Sequence, residues 1–160
     1  MNVYAILALL HAALGTLALM TFWTAGLARK GSPVHRGAGK LYLFAMIGLL
    51  LLALPMSLTF FVRGQQVVGS FLLYLLVITT TSVWSSWHAI RDKRDWARYT
   101  GGVFHVLMWT NLASAVAIAV IGALFAQRMQ LIIVSFSGIG LVIFVQMWRF
   151  SRRAPADPRW

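Results

Sequence analysis

The stretch VYAILALLHAALGTLALMTFWTAGL, residues 3–27, decides the fold. It contains no Asp, Glu, Lys or Arg, and the basic residues Arg29 and Lys30 follow shortly after it. About 20 apolar residues in a helix cross the hydrocarbon core of a bilayer, which is about 30 Å thick. This stretch is therefore predicted to be a membrane-spanning helix that ends at a basic surface.

Four more stretches of the same kind follow along the chain. Hydrophobic residues make up 60% of the chain and charged residues 11%, a composition that excludes a soluble domain of this length. The sequence therefore predicts an all-α integral membrane bundle of five transmembrane helices. Residues 1–153 are expected to form one domain, and residues 154–160 a short cytoplasmic tail. The further spans are predicted at Leu41 to Val62, Val67 to Ile90, Val103 to Ala126 and Leu131 to Trp148.

Twelve of the fourteen Lys and Arg residues fall into three clusters that lie at alternate ends of the spans, and only Arg63 and Arg128 lie elsewhere. Because short loops rich in Lys and Arg stay in the cytoplasm, this pattern predicts an outer N-terminus and a cytoplasmic C-terminus. The net charge of +11 is then explained by topology and by attraction to anionic lipid headgroups, and no nucleic-acid partner is expected. The clusters are Arg29, Lys30, Arg36 and Lys40, then Arg91, Lys93, Arg94 and Arg98, then Arg149, Arg152, Arg153 and Arg159.

Acidic residues and cysteine are too scarce for several kinds of chemistry. The chain has no Glu and no Cys, and its acidic residues Asp92, Asp95 and Asp157 all lie outside the predicted spans. This excludes a carboxylate proton relay within the membrane, a di-iron carboxylate site and a thiolate metal site. A stand-alone enzyme is therefore not the favoured interpretation, and histidine is the main candidate for a ligand.

Two histidines lie at similar depth near the cytoplasmic side of neighbouring helices. His88 is near the end of the third span, and His105 is near the start of the fourth. Two imidazoles on adjacent helices are the axial ligands that a b-type haem iron requires, so His88 and His105 are candidate haem ligands. The alternative is that both imidazoles are hydrogen-bonded to loop carbonyls or lipid phosphates at the interface.

His35 lies near the same predicted side and has two roles open to it. It could replace one axial ligand, or contact a haem propionate together with Arg36 and Lys40. A zinc or copper site built from His35, His88 and His105 is the nearest competing interpretation, since three imidazoles suit both metals.

Polar residues within the spans give further candidates. His11 lies at a depth comparable with Met56, so a His and Met ligand pair is conceivable, although a buried His bonded to a backbone carbonyl is favoured. Asn111 and the run from Thr79 to Ser82 lie near mid-membrane, where such groups mostly bond to neighbouring helices. A polar ligand pocket there is the alternative, and Gln146 could bind a quinone headgroup.

The connections between the spans carry capping signals. Ser32 followed by Pro33 predicts the start of the second helix ahead of the membrane. Asp95 is a candidate N-cap for the fourth spanning helix. Residues 63–66, RGQQ, predict a tight turn on the outer side.

The sequence HRGAGKLY at residues 35–42, preceded by Lys30 and Gly31, resembles the KG...HRxxGxxY signature of the DUF2306 family of small bacterial membrane proteins. His11 is similarly placed in the first helix. The later HRxWM motif of that family has its nearest counterpart at residues 105–108, HVLM, which lack the Arg. The resemblance implies a multi-pass protein of the bacterial inner membrane and strengthens His35, Arg36, Gly39 and His105 as candidates.

Three functions follow from these observations. The first is a small protein, similar in a general way to bis-His cytochrome b bundles, that binds haem b and transfers electrons with a quinone or a partner protein. The second is an accessory or assembly subunit of a larger membrane complex. The third is a carrier or receptor for a lipid or another small molecule. The oligomeric state is not specified by the sequence.

Overall fold

The computed structural model of the chain describes residues 3–92, 95–126 and 129–152. All regular structure in these residues is helical. The predicted tail, residues 154–160, lies outside this part of the chain, as do the basic residues Lys93, Arg94, Arg128, Arg153 and Arg159. The helices are α1 (Val3–Leu27), α2 (Pro33–Val62), α3 (Gln66–Arg91), α4 (Trp96–Tyr99), α5 (Gly102–Phe125) and α6 (Gln130–Ser151).

Five of these helices, all except α4, are long and apolar enough to cross a membrane. Four of them agree with the predicted spans to within three residues, and α1 agrees at both ends. The helix α2 ends at Val62 as predicted but begins at Pro33, eight residues before the predicted span at Leu41. The agreement has a physical basis, because a helix satisfies its own backbone hydrogen bonds and is one of only two structures that can span lipid. The five predicted spans are therefore confirmed as helices of suitable length and composition.

The connection between α1 and α2 follows the predicted capping pattern. The Ser32 side chain accepts a hydrogen bond from the His35 backbone N–H over 3.1 Å, and Pro33 is the first residue of α2. Proline suits this position because the first helical N–H has no partner within the helix. Gly31 turns the chain with a φ of +83°, a conformation that other residues rarely adopt. The predicted start of α2 is confirmed.

Asp95 is an N-cap, but of a helix that the sequence did not predict. Its side chain accepts a hydrogen bond from the Arg98 backbone N–H over 2.9 Å and caps the four-residue helix α4. The fourth spanning helix, α5, begins only at Gly102 and follows Gly101, which has no side chain to cap it. The prediction that Asp95 caps the spanning helix was therefore wrong, because a separate turn of helix lies between them.

Helices α1 and α2 form unit 1, and α3 to α6 form unit 2. In unit 1 the rings of Tyr4 and Phe60 lie 6.5 Å apart, and those of Phe22 and Tyr42 lie 5.8 Å apart. These pairs run in opposite directions along the two helices, so α1 and α2 are antiparallel. A Cβ added at Gly48 would lie 2.9 Å from the Leu14 side chain, which shows how closely the helices approach. The single domain expected over residues 1–153 stays a prediction.

Unit 2 is organised around α5, which packs against α3 and α6. Small residues allow the close contact of α5 with α6: a Cβ added at Gly122 would lie 2.8 Å from Ile133. The apolar core here consists of Tyr74, Ile78, Ala115, Ile118, Ala126 and Ile133.

An aromatic cluster closes the end of unit 2 at which α4 lies, which we call the α4 end. The Tyr99 ring lies 5.5 Å from the rings of both Phe104 and Phe150, and 5.7 Å from Trp84, measured between ring centroids. Phe104 is 1% exposed and lies at the centre of the cluster. The cluster joins α3, α4, α5 and α6 and separates two cavities at this end.

Candidate ligand-binding groove

One cavity at the α4 end of unit 2 is an open groove of about 400 Å³, which we call the serine groove. It lies between α3 and α6, with α4 and α5 contributing at its α4 end. Along α3 it extends from Ser86 to Thr81, that is from about 8 Å to about 15 Å from the last residue of that helix at 1.5 Å per residue. Its lining side chains are Thr81, Ser82, Ser85, Ser86, Tyr99, Phe104, Ile143, Gln146, Met147 and Phe150.

The α3 wall of the serine groove is a surface of hydroxyl groups. The Ser82 hydroxyl donates to the Ile78 carbonyl over 2.9 Å, and the Ser86 hydroxyl donates to the Ser82 carbonyl over 2.8 Å. A hydroxyl has one O–H and two lone pairs, so each oxygen keeps the capacity to accept a hydrogen bond. This wall can therefore accept hydrogen bonds from a ligand that carries O–H or N–H groups.

Ser85 and Tyr99 form a polar pair where the groove meets the aromatic cluster. Burial raises the pKa of the Tyr99 hydroxyl above its usual value, and the hydrogen bond with the Ser85 side chain opposes part of that rise. Tyr99 is therefore neutral at physiological pH, and the polar pair carries no charge.

Gln146 faces the hydroxyl wall from α6. Its side chain is exposed, and its amide has no hydrogen-bond partner among the described residues. An amide carries two N–H donors and a carbonyl acceptor. Gln146 lies five residues before the end of α6, between the apolar residues Val145 and Met147.

The remaining wall of the groove is apolar. Ile143 and Met147 lie on α6 on either side of Gln146, while Phe104 and Phe150 come from the aromatic cluster. Binding sites for small molecules are mostly apolar with a few placed polar groups, and have volumes of about 300 to 1,000 Å³. The serine groove has both properties.

A second, smaller cavity lies on the other side of Phe104 and contains the predicted ligand His88. It has a volume of about 160 Å³, and we call it the basic cavity. The His88 ring stacks on Trp84 with centroids 4.2 Å apart, and its Nδ1 lies 3.1 Å from the Trp84 carbonyl oxygen. The lining residues are Trp84, His88, Arg91, Asp92, Arg98, Gly101, Gly102, Val103 and Phe104.

His105, the other predicted haem ligand, lies on the exposed side of α5. Its Nδ1 is 3.1 Å from the Gly101 carbonyl oxygen. It does not line the basic cavity, whose volume is about 160 Å³. This is smaller than the roughly 300 Å³ at which ligand pockets begin. His88 and His105 therefore do not share this cavity, and their role as haem ligands stays a prediction.

His35 has a structural partner in unit 1. Its Nδ1 lies 2.9 Å from the carbonyl oxygen of Ala25, in the last turn of α1. The final carbonyl groups of a helix have no partner within the helix, so a histidine N–H can satisfy one of them. Arg36 and Lys40 are exposed on α2. This contact ties the start of α2 to the end of α1.

His11 and Met56 are both half-buried in unit 1. The His11 Nδ1 atom is buried and has no hydrogen-bond partner among the described residues. The carbonyl bond expected for His11 is therefore not formed at this atom. In the described part of the chain no three His or Asp side chains are grouped as a metal ion would require.

Asn111 contacts a neighbouring helix, as such residues most often do. It is fully buried, and its amide nitrogen donates to the Thr81 hydroxyl and to the Leu107 carbonyl, both over 2.7 Å. Thr81 in turn donates to the Val77 carbonyl over 3.0 Å. Asn111 does not line the serine groove, whereas Thr81 does. The polar pocket predicted from this region thus lies closer to the α4 end than Asn111.

Sequence reasoning missed Ser85, Ser86 and Tyr99 as groove residues. A signal was present, because Ser82, Ser85 and Ser86 are spaced by three and four residues and so share one face of a helix.

Comparison of the chain with protein-family models, curated proteins and solved structures gives no match. The resemblance to the DUF2306 family therefore stays a prediction.

Proposed function

We propose that this is a multi-pass membrane protein that binds a neutral amphipathic molecule in the serine groove. The supporting observation is the exposed Gln146 amide in the same groove as a wall of hydroxyl acceptors, beside an apolar surface of Ile143 and Met147. The five apolar helices support the membrane setting. Two ligand sources share the required chemistry: an isoprenoid quinone and a neutral glycerolipid.

The polar groups of the groove match a headgroup with carbonyl and hydroxyl oxygens. The Gln146 N–H groups can donate to a quinone or ester carbonyl, and the lone pairs of Ser82 and Ser86 can accept from a quinol or glycerol hydroxyl. None of these groups is charged, so an ionised headgroup gains no ion pair in the serine groove. The apolar wall would then take up the first part of the hydrocarbon tail.

The level of the groove agrees with this ligand class. It begins about 8 Å from the end of α3, at 1.5 Å per helical residue, which is just inside the end of a spanning helix. Headgroups and the first tail atoms of lipids and quinones occupy this level of a bilayer. A ligand can therefore reach the open groove from the surrounding lipid.

The experiment is an equilibrium binding titration on the protein in nanodiscs of neutral lipid. One arm uses a benzoquinone with a short alkyl tail, and the other uses a diacylglycerol. The variants are Gln146→Leu and Ser86→Ala, with Gln66→Leu and Ser151→Ala as controls outside the groove. Each groove variant should weaken binding by about three- to tenfold, the effect of one lost hydrogen bond.

The two arms identify the ligand source, and the controls identify the site. Saturable binding of only one probe assigns that class of molecule. Absence of saturable binding for both probes contradicts the proposal, and so does an equal loss in the control variants. Ser151→Ala is a close control, because the Ser151 hydroxyl also bonds to its own helix, at the Trp148 carbonyl over 2.9 Å.

We further propose that the protein lies in a bacterial inner membrane, with the N-terminus outside and the C-terminus in the cytoplasm. The positions of the basic clusters in the sequence support the orientation. The resemblance of residues 35–42 to the DUF2306 signature supports the bacterial setting.

Haem-dependent electron transfer stays a prediction with a direct test. The Nδ1 atoms of His88 and His105 both face carbonyl oxygens, which leaves Nε2 of each ring as the atom with a free lone pair. A visible spectrum of protein purified with adequate haem supply shows a Soret band if haem b is bound.

The role as an accessory subunit also stays a prediction, and stoichiometric co-purification of partner subunits tests it.

A further inference from the structure

The basic cavity beside His88 has a composition that the serine groove does not explain. Its walls carry two arginines and one histidine against a single carboxylate. From this geometry we infer that the basic cavity binds a phosphate group, through the side chains of Arg91, Arg98 and His88. The inference goes beyond the proposed function, because it concerns a separate cavity and a charged ligand.

The arginines are held in place by a buried carboxylate. The Asp92 side chain is 3% exposed, and its Oδ1 lies 3.4 Å from Nε of Arg98 and 3.8 Å from Nε of Arg91. The side chains of Arg91 and Arg98 are 53% and 59% exposed, so they remain accessible from solvent. One carboxylate thus lies beside two cations, which leaves one positive charge without a counter-charge among the lining side chains.

The guanidinium groups retain donors for a ligand. Each guanidinium has five N–H donors in a planar fork, and one carboxylate occupies at most two of them. Arginine binds phosphate oxygens in pairs, with short charge-assisted hydrogen bonds. The remaining donors of Arg91 and Arg98 line the same cavity and can therefore converge on one phosphate group.

His88 presents a defined edge to the cavity. Because Nδ1 faces the Trp84 carbonyl oxygen at 3.1 Å, Nδ1 carries the proton and Nε2 has the lone pair in the neutral ring. Nε2 can accept from a protonated phosphate oxygen or, once protonated, donate to an ionised one. Stacking on Trp84 with centroids 4.2 Å apart holds the ring in this orientation.

The size and level of the cavity fit this ligand. A volume of about 160 Å³ suits a phosphate group with ordered water. The cavity lies where α3 ends at Arg91 and α5 begins at Gly102. In a spanning bundle the ends of helices lie at the level of the lipid phosphates. The group can thus belong to an anionic lipid or to free phosphate.

The test measures phosphate binding in two arms. Nanodiscs of phosphatidylcholine with and without phosphatidylglycerol report on a lipid source, through the amount of phosphatidylglycerol that native mass spectrometry finds retained. Titration with inorganic phosphate reports on a free source. The double variant Arg91→Gln, Arg98→Gln should weaken binding in the responding arm by about tenfold or more, as expected for charge-assisted hydrogen bonds.

Two further variants show whether a loss of phosphate binding is specific to the side chains of the basic cavity. Removing both arginines leaves a buried carboxylate unpaired, so Asp92→Asn with Arg98→Gln removes the charge pair together, keeps the net charge unchanged and should lower phosphate binding through the lost guanidinium donors. Arg152→Gln is the control for loss of an arginine outside the cavity, because Arg152 lies over the Trp148 ring at 4.3 Å. Equal losses in Arg152→Gln and the cavity variants, or no binding in either arm, would overturn the inference.

Discussion

The hydroxyl of Tyr74 accepts a hydrogen bond from the backbone N–H of Gly140 over 2.8 Å. The same hydroxyl donates to the carbonyl of Phe136 over 2.7 Å. Phe136 and Gly140 are four residues apart on α6, and an α-helix pairs such groups directly. The hydroxyl of Tyr74 therefore bridges a pair of groups in the α6 ladder and ties α3 to α6 in the core of unit 2.

Replacing Tyr74 with Phe removes this bridge and keeps the ring. We expect Tyr74→Phe to lower the free energy of unfolding by about 1 kcal/mol, since the two backbone groups can then bond to each other. The free energy of unfolding is measured for both proteins in mixed micelles. Tyr42→Phe is the control, because the Tyr42 ring packs against Phe22 in unit 1. An equal effect of the two variants would show that the bridge does not stabilise the fold.

The neighbours of Gly140 leave no space for a Cβ at this position. A Cβ there would lie 2.9 Å from the Tyr74 hydroxyl oxygen and 3.0 Å from the Cβ of Ala115. We expect Gly140→Ala to cost about 1 to 3 kcal/mol of stability, the usual cost of overpacking a core. Gly138→Ala meets nothing within 4 Å and should be neutral or slightly stabilising in the same assay. A neutral Gly140→Ala would contradict the close packing of α3, α5 and α6.

The Thr81 and Asn111 contact can be measured by a double-mutant cycle. The bond between Asn111 Nδ2 and Thr81 Oγ1 is 2.7 Å long, and both residues are buried. For Thr81→Val and Asn111→Leu we expect a coupling free energy of about 0.5 to 1.5 kcal/mol. The same cycle with Thr59→Val, in unit 1, should show additive effects. Additivity in the first cycle would indicate that this bond contributes nothing to stability.

Tyr99 predicts how stability changes at alkaline pH. Burial raises the pKa of Tyr99 in the folded state, so the folded protein holds the tyrosine proton more tightly than the unfolded chain does. Tyrosines of the unfolded chain titrate at about pH 10. The contribution of Tyr99 is therefore complete below about pH 10 and decreases as the pH rises through the folded-state pKa.

The measurement follows stability and tyrosinate absorbance together as the pH is raised. Tyr99→Phe lacks the ionising group, so its stability should fall less steeply above about pH 10 than that of the native chain. The difference between the two absorbance titrations isolates Tyr99 from the other tyrosines. Identical slopes of stability against pH would contradict a buried hydroxyl at this position.

The bounds of the spanning helices could be read from the sequence because the bilayer sets their length and hydropathy. Local chemistry also sufficed for the start of α2, where Ser32 and Pro33 act within one turn. The rotation of each helix about its axis was harder to predict, because most of these helices are apolar on all sides and, apart from the serines of α3, show no polar stripe to mark one face.

His105 shows the consequence for the candidate site. Its depth on α5 follows from counting residues, but neighbouring residues of a helix are about 100° apart around the axis. Phe104 is 1% exposed and takes the core direction, so His105 faces outward. Likewise, only packing against α6 reveals that Ser82, Ser85 and Ser86 face Gln146 across a groove. The depth of a side chain along its helix was therefore predictable from the sequence, whereas the direction in which it points depended on tertiary contacts.

The absence of cysteine makes the proposed orientation open to a direct test. Each single substitution to Cys introduces the only thiol in the chain. Gln65→Cys and Met129→Cys lie at the predicted outer ends of the spans, and Ala97→Cys lies on α4 at the predicted cytoplasmic side; all three positions are exposed. A membrane-impermeant maleimide added to intact cells should label the first two and spare Ala97→Cys, which becomes reactive only after the membrane is opened. The opposite pattern would reverse the orientation and place the serine groove and the basic cavity at the outer leaflet.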